Sequence, residues 1–267
     1  MAHDIALIGC GNMGGAIMRG IAAAQLVDPA NMIVSSKTKA SQARLATDLG
    51  CEGTCDNIGA VTGARCVILA VKPQVLPAIA SALAPHVEPG TLAVSIAAGI
   101  SMTQLEGIFG TDAKLVRAMP NLPAMVGEGM TGVVRGANVT DEELGYVLAL
   151  FSSFGRAEVI DEHLMDAVVA TSGSSPAYVA LIVEALADGA VTLGMPRAQA
   201  YTFAEQALLG TAKYLQETGM HPGAFKDQVC SPAGTTIAAV NKLEEAGLRT
   251  AIVQAMQAAA KRNQELS

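Results

Sequence analysis

The chain has 267 residues, 51% of them hydrophobic, a formal net charge of −7 and no tryptophan. Such a length can bury one α/β domain and a smaller partner domain. The acidic balance argues against nucleic acid or an anionic membrane surface as partner, and an aromatic content of 3% removes any base-stacking platform.

Residues 5–8 read as a short apolar strand, Gly9-Cys10-Gly11-Asn12-Met13-Gly14 as a glycine turn, and Ile17, Ile21 and Ala24 as the periodic face of a helix. Strand, turn and helix in that order are the context in which a G-x-G-x-x-G fingerprint binds a dinucleotide. Gly9 permits the tight turn, Gly11 lets the pyrophosphate approach the backbone, and Gly14 allows close packing of helix on strand. The helix start then faces the phosphates. A second strand over residues 32–34 runs into Ser35-Ser36-Lys37-Thr38-Lys39, where an NAD site places an Asp or Glu for the ribose 2′-hydroxyl. No carboxylate stands there. Hydroxyls and a lysine suit a 2′-phosphate, so NADPH is predicted as cofactor, with NADH as the alternative.

Residues 66–71, 92–96 and 114–118 read as buried parallel strands. They end in Lys72-Pro73, Ala97-Ala98-Gly99 and Met119-Pro120-Asn121, groups that can form a ligand surface at the carboxyl edge of an open sheet. Two shorter strands, 131–135 and 157–160, complete the sheet around a helix opened by Thr140-Asp141-Glu142-Glu143, a capping-box pattern. After residue 161 the strand signal stops. The predicted architecture is therefore a Rossmann-like, mostly parallel α/β domain over residues 1–161 and an all-α domain over 162–267.

Within the second half, residues 176–195 carry only two charged side chains, Glu184 and Asp188, both on one face. Most of that helix must be buried, and a second subunit is the expected cover, with a core helix in a monomer as the other arrangement. The same two carboxylates interrupt the longest apolar run. No basic segment followed by an apolar stretch opens the chain, so a cytoplasmic protein without a membrane span is expected. Further on, Ile237, Val240 and Leu243 recur at helical spacing behind Pro232, Gly234, Thr235 and Thr236. Free N–H groups at that helix start favour a carboxylate, although an ordinary N-cap after a Pro/Gly turn fits the same residues.

Cys10, Cys51, Cys55, Cys66 and Cys230 are an odd number without a disulfide pattern and read as reduced thiols. Cys51 and Cys55 lack a second Cys or His pair at ligand spacing, so no metal is predicted. His3, His86, His163 and His221 are scattered, and none joins a serine and a carboxylate in a nucleophile pattern.

Eight stretches carry a family resemblance: IGCGNMGGAI at 8–17, AVKPQ at 70–74, SIAAG at 95–99, RAMPN at 117–121, SGSSPAYV at 172–179, GMPRAQA at 194–200, HPGAFKD at 221–227 and SPAGTTI at 231–237. Over nearly its whole length the chain resembles the pyrroline-5-carboxylate reductase family. The resemblance implies NAD(P)H-dependent reduction of L-1-pyrroline-5-carboxylate to L-proline, the last step of proline biosynthesis. It also implies a Rossmann domain and a helical domain forming a homodimer, with a higher oligomer such as a decamer left open. Thr236 is then the catalytic residue, hydrogen-bonded to the ring nitrogen, and the backbone at Thr235 and Thr236 holds the carboxylate. Ser231, Gln228 and Glu162 fall on the substrate side. The cofactor side takes Gly9, Cys10, Gly11, Asn12, Met13 and Gly14, Ser35 and Lys37 at the 2′-phosphate, Asn57 at the adenosine half, Ala70, Val71, Lys72, Pro73 and Ala98 along the pyrophosphate and nicotinamide ribose, and Asn121.

Two positions depart from the family pattern. Leu122 and Ala233 stand where the family commonly has a threonine and a glycine, and Ala233 is strained if its backbone requires positive φ. A β-hydroxyacid dehydrogenase shares the glycine turn and a helical second domain, but that resemblance requires a catalytic lysine that SGSSPAYVALIVEAL lacks. A reductase of another cyclic imine and a non-catalytic NADPH sensor are the remaining readings. The glycine turn together with Thr235 and Thr236 weighs against the sensor.

Overall fold

The computed structural model describes residues 3–266. Its first part alternates strand and helix: β1 (Ile5–Ile8), α1 (Asn12–Ala23), β2 (Met32–Ser35), α2 (Lys39–Leu49), β3 (Glu52–Thr54), α3 (Asn57–Val61), β4 (Cys66–Leu69), α4 (Leu76–Leu83), β5 (Leu92–Ser95) and α5 (Met102–Phe109). β6 (Lys114–Met119), β7 (Gly129–Arg135), α6 (Asp141–Ser152) and β8 (Gly155–Val159) follow. The eight strands form one sheet in the order β3-β2-β1-β4-β5-β6-β7-β8. Every pairing is parallel except β6 with β7, which a short 3₁₀ turn over Leu122–Val126 joins antiparallel.

Both faces of the central strands are covered, so no residue in them can be polar without a partner. All four residues of β1, β2, β4 and β5 are buried. Period-two alternation sends Ile5 and Leu7 of β1 into one core with Ile17, Ile21 and Phe151, and Ala6 and Ile8 into the other with Leu76 and Leu83. The strands are also in phase. Ile8 lies opposite Ser35 and Leu69, Leu69 opposite Ser95, and Ser95 opposite Arg117. The backbone leaving each strand therefore emerges at one shared edge.

Three details differ from the sequence reading. The strand expected over 66–71 ends at Leu69: the Ala70 N–H makes a last bond to the Ile8 carbonyl, and the chain then passes into a 3₁₀ turn over Pro73–Val75. β3 carries no apolar pattern and exists only as an edge partner of β2. The apolar helix expected over 176–195 is α8 (Ser175–Thr192), closed where Gly194 adopts φ +97°.

The chain divides into two compact units, residues up to Ser174 together with those from Ala259 on, and Ser175–Ala258. The strand signal does end before residue 161, but the segment that follows stays with the sheet. It comprises α7 (Met165–Val168) and a π-helical turn over Val169–Gly173. The Asn121 side chain donates to the Ser172 carbonyl, and Asn263 and Gln264 donate to the two carboxylate oxygens of Asp166. Those last bonds draw the final turns of α12 (Leu248–Leu266) into the first unit.

The second unit holds α8, α9 (Arg197–Thr218), α10 (Pro222–Val229), α11 (Thr235–Glu245) and the first part of α12. α8 buries only Ala187, leaving Val179, Leu181 and Leu186 exposed. By length and composition alone, Glu162–Thr192 is one helical run, with mean hydropathy 1.2, apolar enough to cross a membrane, despite the interruption expected from Glu184 and Asp188.

On the other side of the sheet from α4, the Phe151 and Phe154 rings meet edge to face at 5.6 Å, and Gly20 lets α1 lie directly against Phe154. Phe154→Ala is expected to cost about 3–5 kcal/mol by opening a cavity there. Denaturant unfolding followed by circular dichroism should show a lower midpoint, and an unchanged one would remove Phe154 from the core.

Candidate active site

The glycine turn is built by close approach of backbone. Gly9 has φ +111°, reserved in practice for glycine, and its N–H bonds to the Ser35 carbonyl at 2.8 Å. A Cβ on Gly14 would fall on the Gly9 carbonyl oxygen and press on Leu7 and Ala70, so this position must be bare for α1 to start where it does. Gly11 is different. It is the N-cap of α1, without side-chain capping, and a Cβ there would meet only open space. The first N–H groups of α1 are thus left free beside an unobstructed surface, which suits the pyrophosphate of a dinucleotide. Gly11 and Asn12 are exposed and, with Arg19 and Arg44, line a cleft of about 500 Å³.

On the adenosine side, Ser35 is fully buried and its hydroxyl donates to Asn57 Oδ1 at 2.6 Å, so the structure brings these two expected cofactor residues together. Lys37, two residues beyond the end of β2, is exposed. The Cys10 thiol points back at the Ser35 carbonyl, 3.4 Å away. Burial, with Cys51 and Cys55 nearby, pushes it up to about 11, so it stays a protonated donor within the turn. At the next strand end, Ala70 and Val71 are half-buried, Lys72 is exposed and Pro73 opens a 3₁₀ turn.

The β5–α5 turn carries Ala98, the one residue of 97–100 that is not buried. On β6, opposite Ser95, the Arg117 guanidinium, 8% exposed, donates to Glu162 Oε1 at 2.9 Å, and the same oxygen accepts the Met102 N–H at 2.7 Å. Asn121 is engaged at both ends of its amide, donating to Ser172 and accepting the Met130 N–H at 2.8 Å. The neighbouring Leu122 is 55% exposed.

In the second unit, α10 presents Gln228 in its last turn and is held on α9 by Phe225 against Tyr214, ring centres 5.0 Å apart. A turn through Ser231 then leads into α11. Gly234 is the N-cap, without a side-chain cap, and the Ala238 N–H makes the first bond back, to the Gly234 carbonyl. The N–H groups of Thr235 and Thr236 accordingly have neither a helical acceptor nor a side-chain cap. A Cβ on Gly234 would meet the Ser231 hydroxyl, so a side chain there would displace that hydroxyl. Ala233 adopts φ +57°, so the strain anticipated at this departure from the family pattern is present.

Among the described residues no cluster of three His, Cys, Asp or Glu could hold a metal, and all five cysteines are free. Arg117 is the functional candidate that residue-by-residue reading passed over. Its signal was a charged residue between Val116 and Ala118 in an apolar strand, since arginine is rarely buried without a partner.

A family model for pyrroline-5-carboxylate reductase dimerisation matches residues 162–266, and one for coenzyme F420-dependent NADP oxidoreductases matches residues 4–99. The pyrroline-5-carboxylate reductase of Escherichia coli (strain K12) is 46% identical over 267 residues, spanning 100% of this chain and 99% of that one. The solved pyrroline-5-carboxylate reductase of Coxiella burnetii superimposes with a TM-score of 0.95 at 32% identity, covering 100% and 99% of the two chains. That of Plasmodium falciparum, solved with NADP bound, gives 0.87 at 27% identity over 99% and 98%. With a bare glycine cradle that fits a dinucleotide and matches over its full length, the chain belongs to the pyrroline-5-carboxylate reductase family, oxidoreductases that use NAD(P)H and self-associate.

Proposed function

We propose that the chain reduces L-1-pyrroline-5-carboxylate to L-proline with NADPH as the preferred donor, that Thr236 acts on the ring nitrogen, and that the protein works as a homodimer. The observation that carries this reading is the uncapped start of α11, with Thr235, Thr236 and the Ser231 hydroxyl gathered at one helix terminus. The substrate is a small cyclic imine bearing a carboxylate. The N–H groups of Thr235 and Thr236 supply the carboxylate site, aided by the positive end of the helix. The Thr236 hydroxyl hydrogen-bonds the ring nitrogen and stays with it as the imine, once protonated, becomes a secondary amine. Gln228 and Ser231 border the ring.

When bound, NAD(P)H supplies the hydride that reduces the C=N carbon. Gly9, Gly11 and Gly14 would hold its pyrophosphate, Asn57 its adenosine half, and Ser35 and Lys37 its 2′-phosphate, while Ala70 to Pro73 and Ala98 would run along the pyrophosphate and the nicotinamide ribose. The absence of a carboxylate at the end of β2 supports NADPH over NADH, because no Asp or Glu stands there to repel a 2′-phosphate or to take a bidentate bond from the free ribose hydroxyls. Residues 1–161 form the dinucleotide-binding half on this reading and residues 162–267 the substrate-binding and dimerisation half. Leu181, Phe203, Leu209 and Val253, each more than half exposed, supply apolar surface for a second copy. Five free thiols suit a reducing compartment, taken here as the cytoplasm.

NADPH oxidation by purified protein with DL-pyrroline-5-carboxylate, with NADH in parallel, tests the reading. Turnover is expected with both donors and a lower KM for NADPH. Lys37→Ala should shrink the NADPH preference about tenfold, the value of one charge-assisted hydrogen bond. An unchanged ratio would remove Lys37 from the 2′-phosphate site. Thr236→Ala should lose about 1–3 kcal/mol of transition-state stabilisation, read as a fall in kcat/KM. Full activity in that variant would exclude Thr236 from the chemistry. Light scattering at micromolar concentration should give at least twice the chain mass of 27.2 kDa; a monomeric mass would sink the dimer.

A further inference from the structure

The ion pair between Arg117 and Glu162 joins three elements that carry separate parts of the first unit. Arg117 belongs to β6, directly opposite Ser95 at the end of β5. The Ser95 hydroxyl in turn accepts the Ala97 N–H, at 3.4 Å, beneath the turn that presents Ala98. Glu162 opens the 3₁₀ turn after β8, and the oxygen that receives Arg117 also receives the Met102 N–H. Met102 is the first residue of α5, where a backbone N–H has no helical acceptor. One carboxylate oxygen thus closes the far end of the 97–101 turn while being held by a cation that stands next to its near end. Between these two anchors Gly99 adopts φ +74°, and Ala97, Gly99 and Ile100 are buried, so Ala98 has little freedom of its own. The capping box of Ser101 and Gln104 satisfies the neighbouring N–H groups and leaves the Met102 N–H to Glu162.

We infer that Arg117 and Glu162 are positioning residues that set the height and angle of the Ala98 turn against the nicotinamide half of the cofactor, and that Glu162 does not bind the substrate. The inference rests on the proposed reading of Ala98 as a cofactor-side residue. Removing the carboxylate frees the α5 start and leaves Arg117 buried without its partner, so the turn shifts while the substrate residues of the second unit keep their own local geometry. A displacement of this kind acts on cofactor binding and on hydride-transfer geometry together.

The experiment compares Glu162→Ala, Glu162→Gln and Ala98→Leu with the unaltered protein, measuring NADPH affinity by fluorescence, steady-state kinetics for both substrates, and thermal stability. Glu162→Ala should weaken NADPH binding about tenfold or more and lower kcat, with KM for pyrroline-5-carboxylate changed less than about twofold. Glu162→Gln keeps an oxygen that can accept from both Met102 and Arg117 and should recover most of the lost affinity. A rise confined to KM for pyrroline-5-carboxylate would make Glu162 a substrate ligand and overturn the inference. A drop in melting temperature with unchanged affinity and kinetics in the folded variant would reduce the pair to a structural role and overturn it as well. Ala98→Leu separates the two claims: if it leaves NADPH binding intact, the cofactor-side reading of Ala98 fails. If it weakens binding while Glu162→Ala does not, that reading stands and the positioning role alone fails.

Discussion

Everything at the ligand edge depends on how closely α1 can begin to the end of β1. A helix whose first turn has Gly14 over the Gly9 carbonyl can point its unpaired N–H groups past the strand end, and any side chain at position 14 would force it away. The in-phase ends of β1, β2, β4 and β5 then bring Gly9, Ser35, Ala70 and the turn after Ser95 to one edge. A backbone-built cradle of this sort costs little to form because its donors are already in place before a ligand arrives.

Side chains contribute mainly by fixing the turns above that edge. Ser35 to Asn57, Asn121 to Ser172, and Arg117 to Glu162 are all buried or half-buried bonds between segments far apart in sequence. A buried amide or guanidinium is costly unless paired, so each such bond holds its segments to a single arrangement. The family motifs quoted by residue therefore contain two kinds of position: backbone that can face a ligand, and polar side chains that hold the backbone still.

The second unit uses the same physics with a different outcome. It again has a helix start left uncapped, at Gly234, but the preceding residue is an alanine in the left-handed region. That conformation costs about 1–2 kcal/mol for a residue with a Cβ, and the Ser231–Gly234 turn holds it in place. Large apolar residues lie exposed on α8, α9 and α12 of this unit, whereas the strands of the first unit send theirs into two cores.

Much of this was legible in the residues alone. Apolar runs of strand length, the glycine turn between strand and helix, and the loss of strand signal near residue 161 followed from periodicity and local backbone chemistry, because those depend only on neighbours in sequence. The free N–H groups at Thr235 and Thr236 and the strain at Ala233 were likewise readable from local pattern. β3 was not, since an edge strand of Glu52-Gly53-Thr54 exists only because β2 offers it a partner. Nor was the arrangement of Glu162, 45 residues from Arg117 and 60 from Met102. Sequence determined which segments could form each element and which helix starts lay bare; tertiary structure alone decided which distant polar groups meet, because pairing across a folded sheet depends on register and crossover rather than on any local preference.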